Sequence, residues 1–228
     1  MQDARTHQHA KVQWSDGVPV SARFDDPYYS LQDGLAETHH VFVAGNRLTD
    51  RICDGFHIAE LGVGTGLNLL VAFALAEQKN TELRYTGFEA YPMARDDMAQ
   101  ALSPFRDTLG AALVDTFLEA WSESGGEIAL PAGTAQILVG DARQRLPEWP
   151  GRADAWFLDG FSPAKNPELW EPALLHEVGR HTAPNGTFAT YTAAGAVRRA
   201  LDAAGFAVTR VPGFGRKRHM SIGVLRPA

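Results

Sequence analysis

The sequence predicts an α/β domain built on a mostly parallel seven-stranded sheet that closes in a C-terminal antiparallel hairpin. Three observations carry this. From residue 56 onward, short apolar runs alternate with helix-patterned stretches, as in a parallel sheet covered on both faces. A glycine-rich turn, GVGTG, joins the first run to the first helix. The last two runs have no helix between them, which leaves only antiparallel pairing.

In chain order, FHIAEL (56–61) reads as a buried strand and LNLLVAFALAEQK (67–79) as the helix that follows it. LRYTGFEA (83–90) is a second strand, and the segment from about residue 92 to 102 is helical. SESGGEIALPAGT (122–134), rich in serine and glycine, reads as an exposed loop. AQILVGDA (135–142) and DAWFLDG (154–160) are the third and fourth strands. A helix is expected over 167–181 and a fifth strand at GTFATYT (186–192). AAGAVRRALDAAG (193–205) is a helix stopped by Gly205. FAVTRVPGF and HMSIGVL then close the sheet around a basic turn. Residues 1–55 are polar and turn-rich, and too few for a core of their own. They are expected to form an extension packed on the 56–228 domain, over its ligand crevice.

Composition excludes several classes. The longest apolar run, Leu67 to Ala76, is too short to span a bilayer, and MQDARTHQHAK lacks the apolar stretch of a secretory leader. The single cysteine, Cys53, forms no internal disulfide and fits a reducing cytoplasm, the expected location. His39 and His40 are adjacent and cannot share a helix face, and no histidine stands at metal spacing from Cys53, so no metal site is expected. Net charge is −6, yet residues 195–228 hold seven cations against Asp202 alone. That asymmetry marks either a face for an anionic ligand or a solvated helix and hairpin.

Gly62, Gly64 and Gly66 occupy the turn after the first strand, at the carboxyl end of the sheet where open α/β domains bind ligands. The dinucleotide fingerprint is G-x-G-x-x-G; here the third glycine comes one residue early, and Leu67 stands where that pattern wants glycine. G-x-G-x-G preceded by an acid, Glu60, resembles the first motif of class I S-adenosylmethionine-dependent methyltransferases. A glycine turn can also serve packing alone, and a nicotinamide cofactor is the main competitor. Glu89 ends the second strand, 23 residues after Gly66, where a carboxylate can accept both hydroxyls of a ribose. Asp141 follows the third strand, where an adenine amino group is often read. Either acid could instead cap a strand or helix end. Glu60 and Asn68, flanking the turn, join the three glycines, Glu89 and Asp141 as cofactor-binding candidates.

Asp159 ends the fourth strand and is the catalytic candidate. An alkylammonium, with a pKa of about 10, must lose a proton before it can attack a methyl group. A carboxylate at that tip can orient the cation or take its proton, the second role needing burial. Failing both, it caps the loop that follows. On that loop, Lys165 could meet a phosphate or carboxylate, hold Asp159, or face solvent.

YYSLQDGLAETHHVFVAGNRL (28–48), FHIAELGVGTGLNLL (56–70), WFLDGFSPAKNPELW (156–170), ATYTAAGAVRRAL (189–201) and GFGRKRHM (213–220) together resemble the methyltransferase domain of the MnmC family. That family finishes 5-methylaminomethyl-2-thiouridine at the wobble position of certain tRNAs. The resemblance implies a Rossmann-like class I methyltransferase fold. It also implies S-adenosylmethionine-dependent N-methylation of 5-aminomethyl(-2-thio)uridine in tRNA, with Gly62, Gly64, Gly66, Glu89 and Asp141 holding the cofactor and Asp159 facing the amine. Arg198, Arg199, Arg216, Lys217 and Arg218 become phosphate-contact candidates. Tyr28 and Tyr29 either stack on a base or pack the extension. The family's FAD-dependent oxidase domain finds no counterpart in this sequence, so no FAD is expected in it: either a separate oxidase or other enzyme supplies the amine, or the sequence is a piece of a longer protein. A monomer is expected. The alternatives are a methyltransferase of this fold acting on a small amine or protein, and a non-enzymatic nucleoside- or tRNA-binding module.

Overall fold

The computed structural model describes residues 9–30 and 32–227; of the polar stretch read for a leader, residues 1–8 lie outside this range. The described chain opens with three short antiparallel strands, β1 (Val12–Ser15), β2 (Val18–Ser21) and β3 (Asp26–Pro27). Two short helices follow, α1 (Gly34–Thr38) and α2 (Leu48–Arg51), joined by one widened turn of helix, His39–Ala44. Asp33 caps α1 by accepting from the Ala36 N–H. Val41, Phe42 and Leu48 reach the main core.

The main sheet begins at β4 (Phe56–Leu61). After it come α3 (Leu67–Lys79), β5 (Leu83–Glu89), α4 (Arg95–Leu102), α5 (Arg106–Leu109), α6 (Ala111–Ala120), β6 (Gly126–Leu130) and β7 (Gly133–Val139). The chain continues through α7 (Ala142–Glu148), β8 (Ala153–Leu158), α8 (Pro172–Arg180), β9 (Thr182–Thr190), α9 (Gly195–Ala203), β10 (Phe206–Pro212) and β11 (His219–Leu225). The sheet order is β10-β11-β9-β8-β4-β5-β7-β6. The five inner strands from β9 to β7 run parallel, and β11 pairs antiparallel with both β9 and β10, the expected closing hairpin.

One expectation fails. The sheet has eight strands, not seven, because part of SESGGEIALPAGT forms β6, antiparallel to β7 across the two-residue turn Pro131–Ala132. Ile128 and Leu130 alternate into the core while Glu127 and Ala129 face out, which is the period of a half-buried strand. The glycines that suggest a loop lie at its start, where Gly125 and Gly126 both take positive φ.

Buried side chains divide between the two faces of the sheet. Along β4, Ile58 packs on one face with Phe73, Tyr85 and Phe117; Ala59 and Leu61 pack on the other with Phe88, Trp156 and Trp170. Burial on both faces explains why the parallel strands read as unbroken apolar runs. From β4 the chain winds outward through β5 and β7, then returns to β8 on the opposite side. The sheet's topological switch point is therefore the gap between β4 and β8, above their carboxyl ends. No helix among the described residues is long and apolar enough to cross a membrane.

Candidate active site

Above the switch point opens a crevice of about 1510 Å³. A single drug-sized ligand needs roughly 300–1,000 Å³, so there is room for two molecules side by side. Gly62 and Gly64 after β4, Glu89 at the end of β5, Asp141 after β7 and Asp159 after β8 all line it.

The glycine turn is shaped by close approach to the next strand tip. Gly62 has φ +86°, and a Cβ there would come within 2.5 Å of the Asp159 carbonyl oxygen. Asp159 in turn donates its N–H to the Leu61 carbonyl at 3.1 Å. Gly64 has φ +55° and faces the Tyr28 ring. Its N–H donates to Glu89 Oε2 at 2.9 Å, while the Tyr91 N–H donates to Oε1 at 2.8 Å. Glu89 is thus held by both ends of the crevice wall. Burial raises its pKa and these backbone donors oppose that rise.

Asp159 sits in a buried polar network. Asn68, in the first turn of α3, donates from Nδ2 to Asp159 Oδ2 at 2.6 Å and to Glu60 Oε1 at 2.8 Å. The Thr38 hydroxyl donates to Asn68 Oδ1 at 2.8 Å, and the Tyr85 hydroxyl donates to Glu60 Oε2 at 2.7 Å. Asp159 as a residue keeps slight exposure, but burial of its carboxyl is the main cause that pushes its pKa up to about 7; nearby Glu37 adds to the rise, and Asn68 and Lys217 oppose it. Glu60, wholly buried, is pushed well above the carboxylate range by burial and then by Asp159.

The loop after β8 is braced on three sides. Tyr191 donates its hydroxyl to the Gly160 carbonyl at 2.7 Å, Trp170 Nε1 donates to the Phe161 carbonyl at 2.8 Å, and the Ser162 N–H donates to Asp26 at 2.8 Å. The N-terminal strands reach across to this loop. Phe24 stacks on Phe161 at 4.9 Å, and Tyr28 meets the same ring edge-on at 5.1 Å.

The predicted candidates separate into two groups. Gly62, Gly64, Asn68, Glu89, Asp141, Asp159, Tyr29, Arg216 and Lys217 line the crevice. Six do not. Glu60 lies beneath it, and Gly66 opens α3 at φ +78° against the Phe117 ring. Lys165 binds the Asp25 carbonyl and lies 3.3 Å from the Asp25 carboxylate and 3.7 Å from Asp26, so it latches the N-terminal strands and does not hold Asp159. Arg198 and Arg199 sit on α9, and Arg218 faces solvent.

Two lining candidates are already engaged. Asp141 caps α7 through the Arg143 N–H, and its carboxylate meets the Arg143 side chain at 2.6–3.0 Å, which lowers its pKa. Tyr29 donates its hydroxyl to the Ala101 carbonyl at 3.0 Å, and burial pushes its pKa up to about 12. Sequence reasoning missed Phe24, Glu37, Thr38, Phe161 and Tyr191. Tyr191 and Phe161 follow strand ends, a signal that was present. Nothing local marks Glu37 or Thr38, which the fold brings to the site from another part of the chain.

A cationic nucleoside fits this lining. Glu89 offers a fixed carboxylate to a diol, the glycine turn admits a ligand close to the backbone, and the crevice wall carries Asp26, Glu37, Glu89 and Asp159 to face a sulfonium.

Known proteins bear on this geometry. Residues 107–226 match the model of an S-adenosyl-L-methionine-dependent methyltransferase family. The chain is 42% identical over 235 residues to the tRNA 5-methylaminomethyl-2-thiouridine biosynthesis bifunctional protein MnmC of Chromobacterium violaceum, covering 96% of this chain and 35% of that protein. It is 44% identical to the MnmC protein of Pseudomonas aeruginosa, covering 93% and 34%. The chain thus spans about a third of the length of the curated relatives it matches. Among solved structures, MNMC2 from Aquifex aeolicus superposes with a TM-score of 0.76 at 26% identity, over 98% of this chain and 73% of that one. A precorrin-6y C5,15-methyltransferase from Geobacter metallireducens, at TM-score 0.52 and 14% identity over 93% and 96% of the two chains, shares the fold alone.

Proposed function

The chain belongs to the family of S-adenosyl-L-methionine-dependent methyltransferases, and from that premise we propose that it methylates the primary amine of 5-aminomethyl(-2-thio)uridine in tRNA. The substrate follows from the relatives' names: 5-methylaminomethyl-2-thiouridine is the N-methyl product of such an amine. The observation that carries the reading is the placement of Asp159. Its carboxyl lies at the switch point beside the glycine turn. Oδ2 is tied to Asn68, and among the described residues no hydrogen bond reaches Oδ1.

Glu89 holds the ribose hydroxyls, its two oxygens aimed by the Gly64 and Tyr91 N–H groups. Gly62 and Gly64 line the crevice beside it without side chains that would fill it. Asp141, its carboxylate shared with Arg143, lines the same crevice and would meet the adenine. Bound S-adenosylmethionine would supply an electrophilic methyl group on a sulfonium. The chain's own task is to deliver a neutral amine to it.

Asp159 binds the substrate ammonium through Oδ1 and takes its proton, leaving a lone pair on nitrogen. Moving a proton from an ammonium near pKa 10.4 to an ordinary carboxylate near 3.9 costs about 9 kcal/mol. With the acceptor at about 7 the cost falls to about 5 kcal/mol. That difference favours proton acceptance over orientation alone. Phe24, Tyr28 and Phe161 give the uracil an apolar wall at the crevice mouth.

The test is transfer of label from methyl-labelled S-adenosylmethionine to tRNA bearing 5-aminomethyluridine, followed by digestion to nucleosides. Label is expected in 5-methylaminomethyluridine. Bound cofactor with no label in that nucleoside would overturn the assignment.

A further inference from the structure

Two acids one strand apart, Glu60 at the end of β4 and Asp159 after β8, share a single side chain between them. Asn68 directs one N–H to each, at 2.8 and 2.6 Å. The amide's orientation suits both acids: the Thr38 hydroxyl donates to Oδ1, and a flip would set that oxygen against two carboxyl oxygens. Thr38 and Asn68 are both buried, so breaking either bond would leave a buried polar group short of a partner.

We infer that Asn68 is a positioning residue for Asp159: it locks Oδ2 in place, turns Oδ1 toward the crevice, and keeps the carboxylate ionisable next to the buried Glu60. This rests on Asp159 acting as the acceptor of the substrate's proton, and it changes the meaning of the motif. G-x-G-x-G followed at the second helical position by asparagine places the cofactor turn and the base-positioning amide on one continuous segment. Glu60, closed off from the crevice and held by Tyr85, acts on Asp159 through Asn68.

Asn68 also supplies the donor that offsets repulsion around Asp159. Five charged or titratable groups face this carboxyl from the packed elements: Glu60 of β4, Tyr85 of β5, Glu37 of α1, Lys217 of the β10–β11 turn and Tyr191 beyond β9. Of these, Glu37 disfavours its charge, while Lys217 favours it together with the Asn68 amide. With the amide removed, Asp159 and Glu60 lose their common donor and hold a proton more firmly between them.

The experiment is a carbon-13 carboxyl titration of the aspartate-labelled full chain, with the Asp159 signal assigned from Asp159→Asn. It is paired with the pH dependence of methyl transfer. In Asn68→Ala the Asp159 midpoint should rise by roughly one unit, and the acid limb of the rate profile should rise with it. Turnover should fall about 10- to 100-fold with cofactor affinity changed less than threefold. Thr38→Val, isosteric and retaining the amide, should shift the midpoint in the same direction by less, and covers the case in which Asn68→Ala does not fold. An unmoved midpoint in both variants, or a loss of cofactor affinity equal to the loss of turnover, overturns the inference. The titration needs no substrate. A midpoint that shifts in the variants, when the wild-type protein does not methylate the nucleoside, would therefore remove the substrate assignment and leave the Asn68–Asp159 linkage standing.

Discussion

Burial holds the Asp159 carboxyl at about 7, against about 3.9 for an unperturbed aspartate, and this shift acts on stability as well as on chemistry. Between these values the folded protein binds a proton that the unfolded chain has released. The group's contribution to stability is therefore complete below about pH 4 and is lost as pH rises through 7. At pH 8 the folded state carries a desolvated carboxylate that the unfolded chain solvates freely. Three units correspond to about 4 kcal/mol at most; solvent access reduces this to about 1–2 kcal/mol. Asp159→Asn should thus raise the melting temperature at pH 8 by roughly 3–6 °C and leave it unchanged at pH 4, while methyl transfer falls at least about 100-fold. Calorimetry at the two pH values reads the first effect; an equal change at both would mean that the carboxyl is not desolvated in the fold. A site residue that costs stability where the enzyme works is the usual form of the trade between activity and stability.

The same site is built by short elements, and the turn between β4 and α3 is the most demanding of them. Gly62 is constrained twice, by φ +86° and by the Asp159 carbonyl within 2.5 Å of any Cβ. Gly55 has a similar φ, +75°, with nothing within 4 Å. Gly55→Ala should cost about 1–2 kcal/mol from the left-handed backbone alone. Gly62→Ala should cost at least about 2 kcal/mol more, because backbone must move, and should weaken S-adenosylmethionine binding about tenfold or more. Urea unfolding and isothermal titration of the two variants separate the terms; equal losses would show that the strand tips do not press on one another. This turn was readable from sequence because its signals are local: both β4 and α3 begin and end where the apolar runs and glycines place them. The β6 strand was not, since Ser124, Gly125 and Gly126 outweigh a short alternation that only Ile128 and Leu130 express. Helix α6 lay outside every expected element, although Leu113, Val114 and Phe117 form one apolar face. Thr38, which bonds Asn68, and Glu37, whose charge acts on Asp159, come to the site from a segment some 120 residues before Asp159 in sequence, and no pattern in a single chain records such a juxtaposition.

Across the whole molecule, the proposed tRNA substrate would require an acidic chain to present a surface that a polyanion can approach. The C-terminal cations carry that possibility, and the fold sorts them in a way that composition cannot. Lys217, though itself exposed, is paired, 2.8 Å from Glu37 and 3.9 Å above the Tyr191 ring, so its charge acts on the crevice. Arg198 and Arg199 lie on α9 outside the crevice lining. Arg216 and Arg218 flank Lys217 in the same turn and are exposed, Arg216 at the crevice edge. A tRNA whose wobble base enters beside Asp159 would bring its backbone over this turn. Each phosphate contact adds about 0.7 to 0.9 to the slope of log affinity against log salt. Replacing Arg216 and Arg218 together by alanine should therefore flatten that slope by roughly 1.4 to 1.8, with weaker tRNA binding at low salt and little difference at high salt. Lys217→Ala should instead leave the slope nearly intact and shift the acid limb of the rate profile upward, because it removes the cation that favours Asp159 ionisation. Filter binding across a salt series reads the slope. An unchanged slope in the double variant would move the docking face to another side of the molecule, and a flattened slope in Lys217→Ala would mean that this lysine leaves Glu37 to meet a phosphate when RNA arrives.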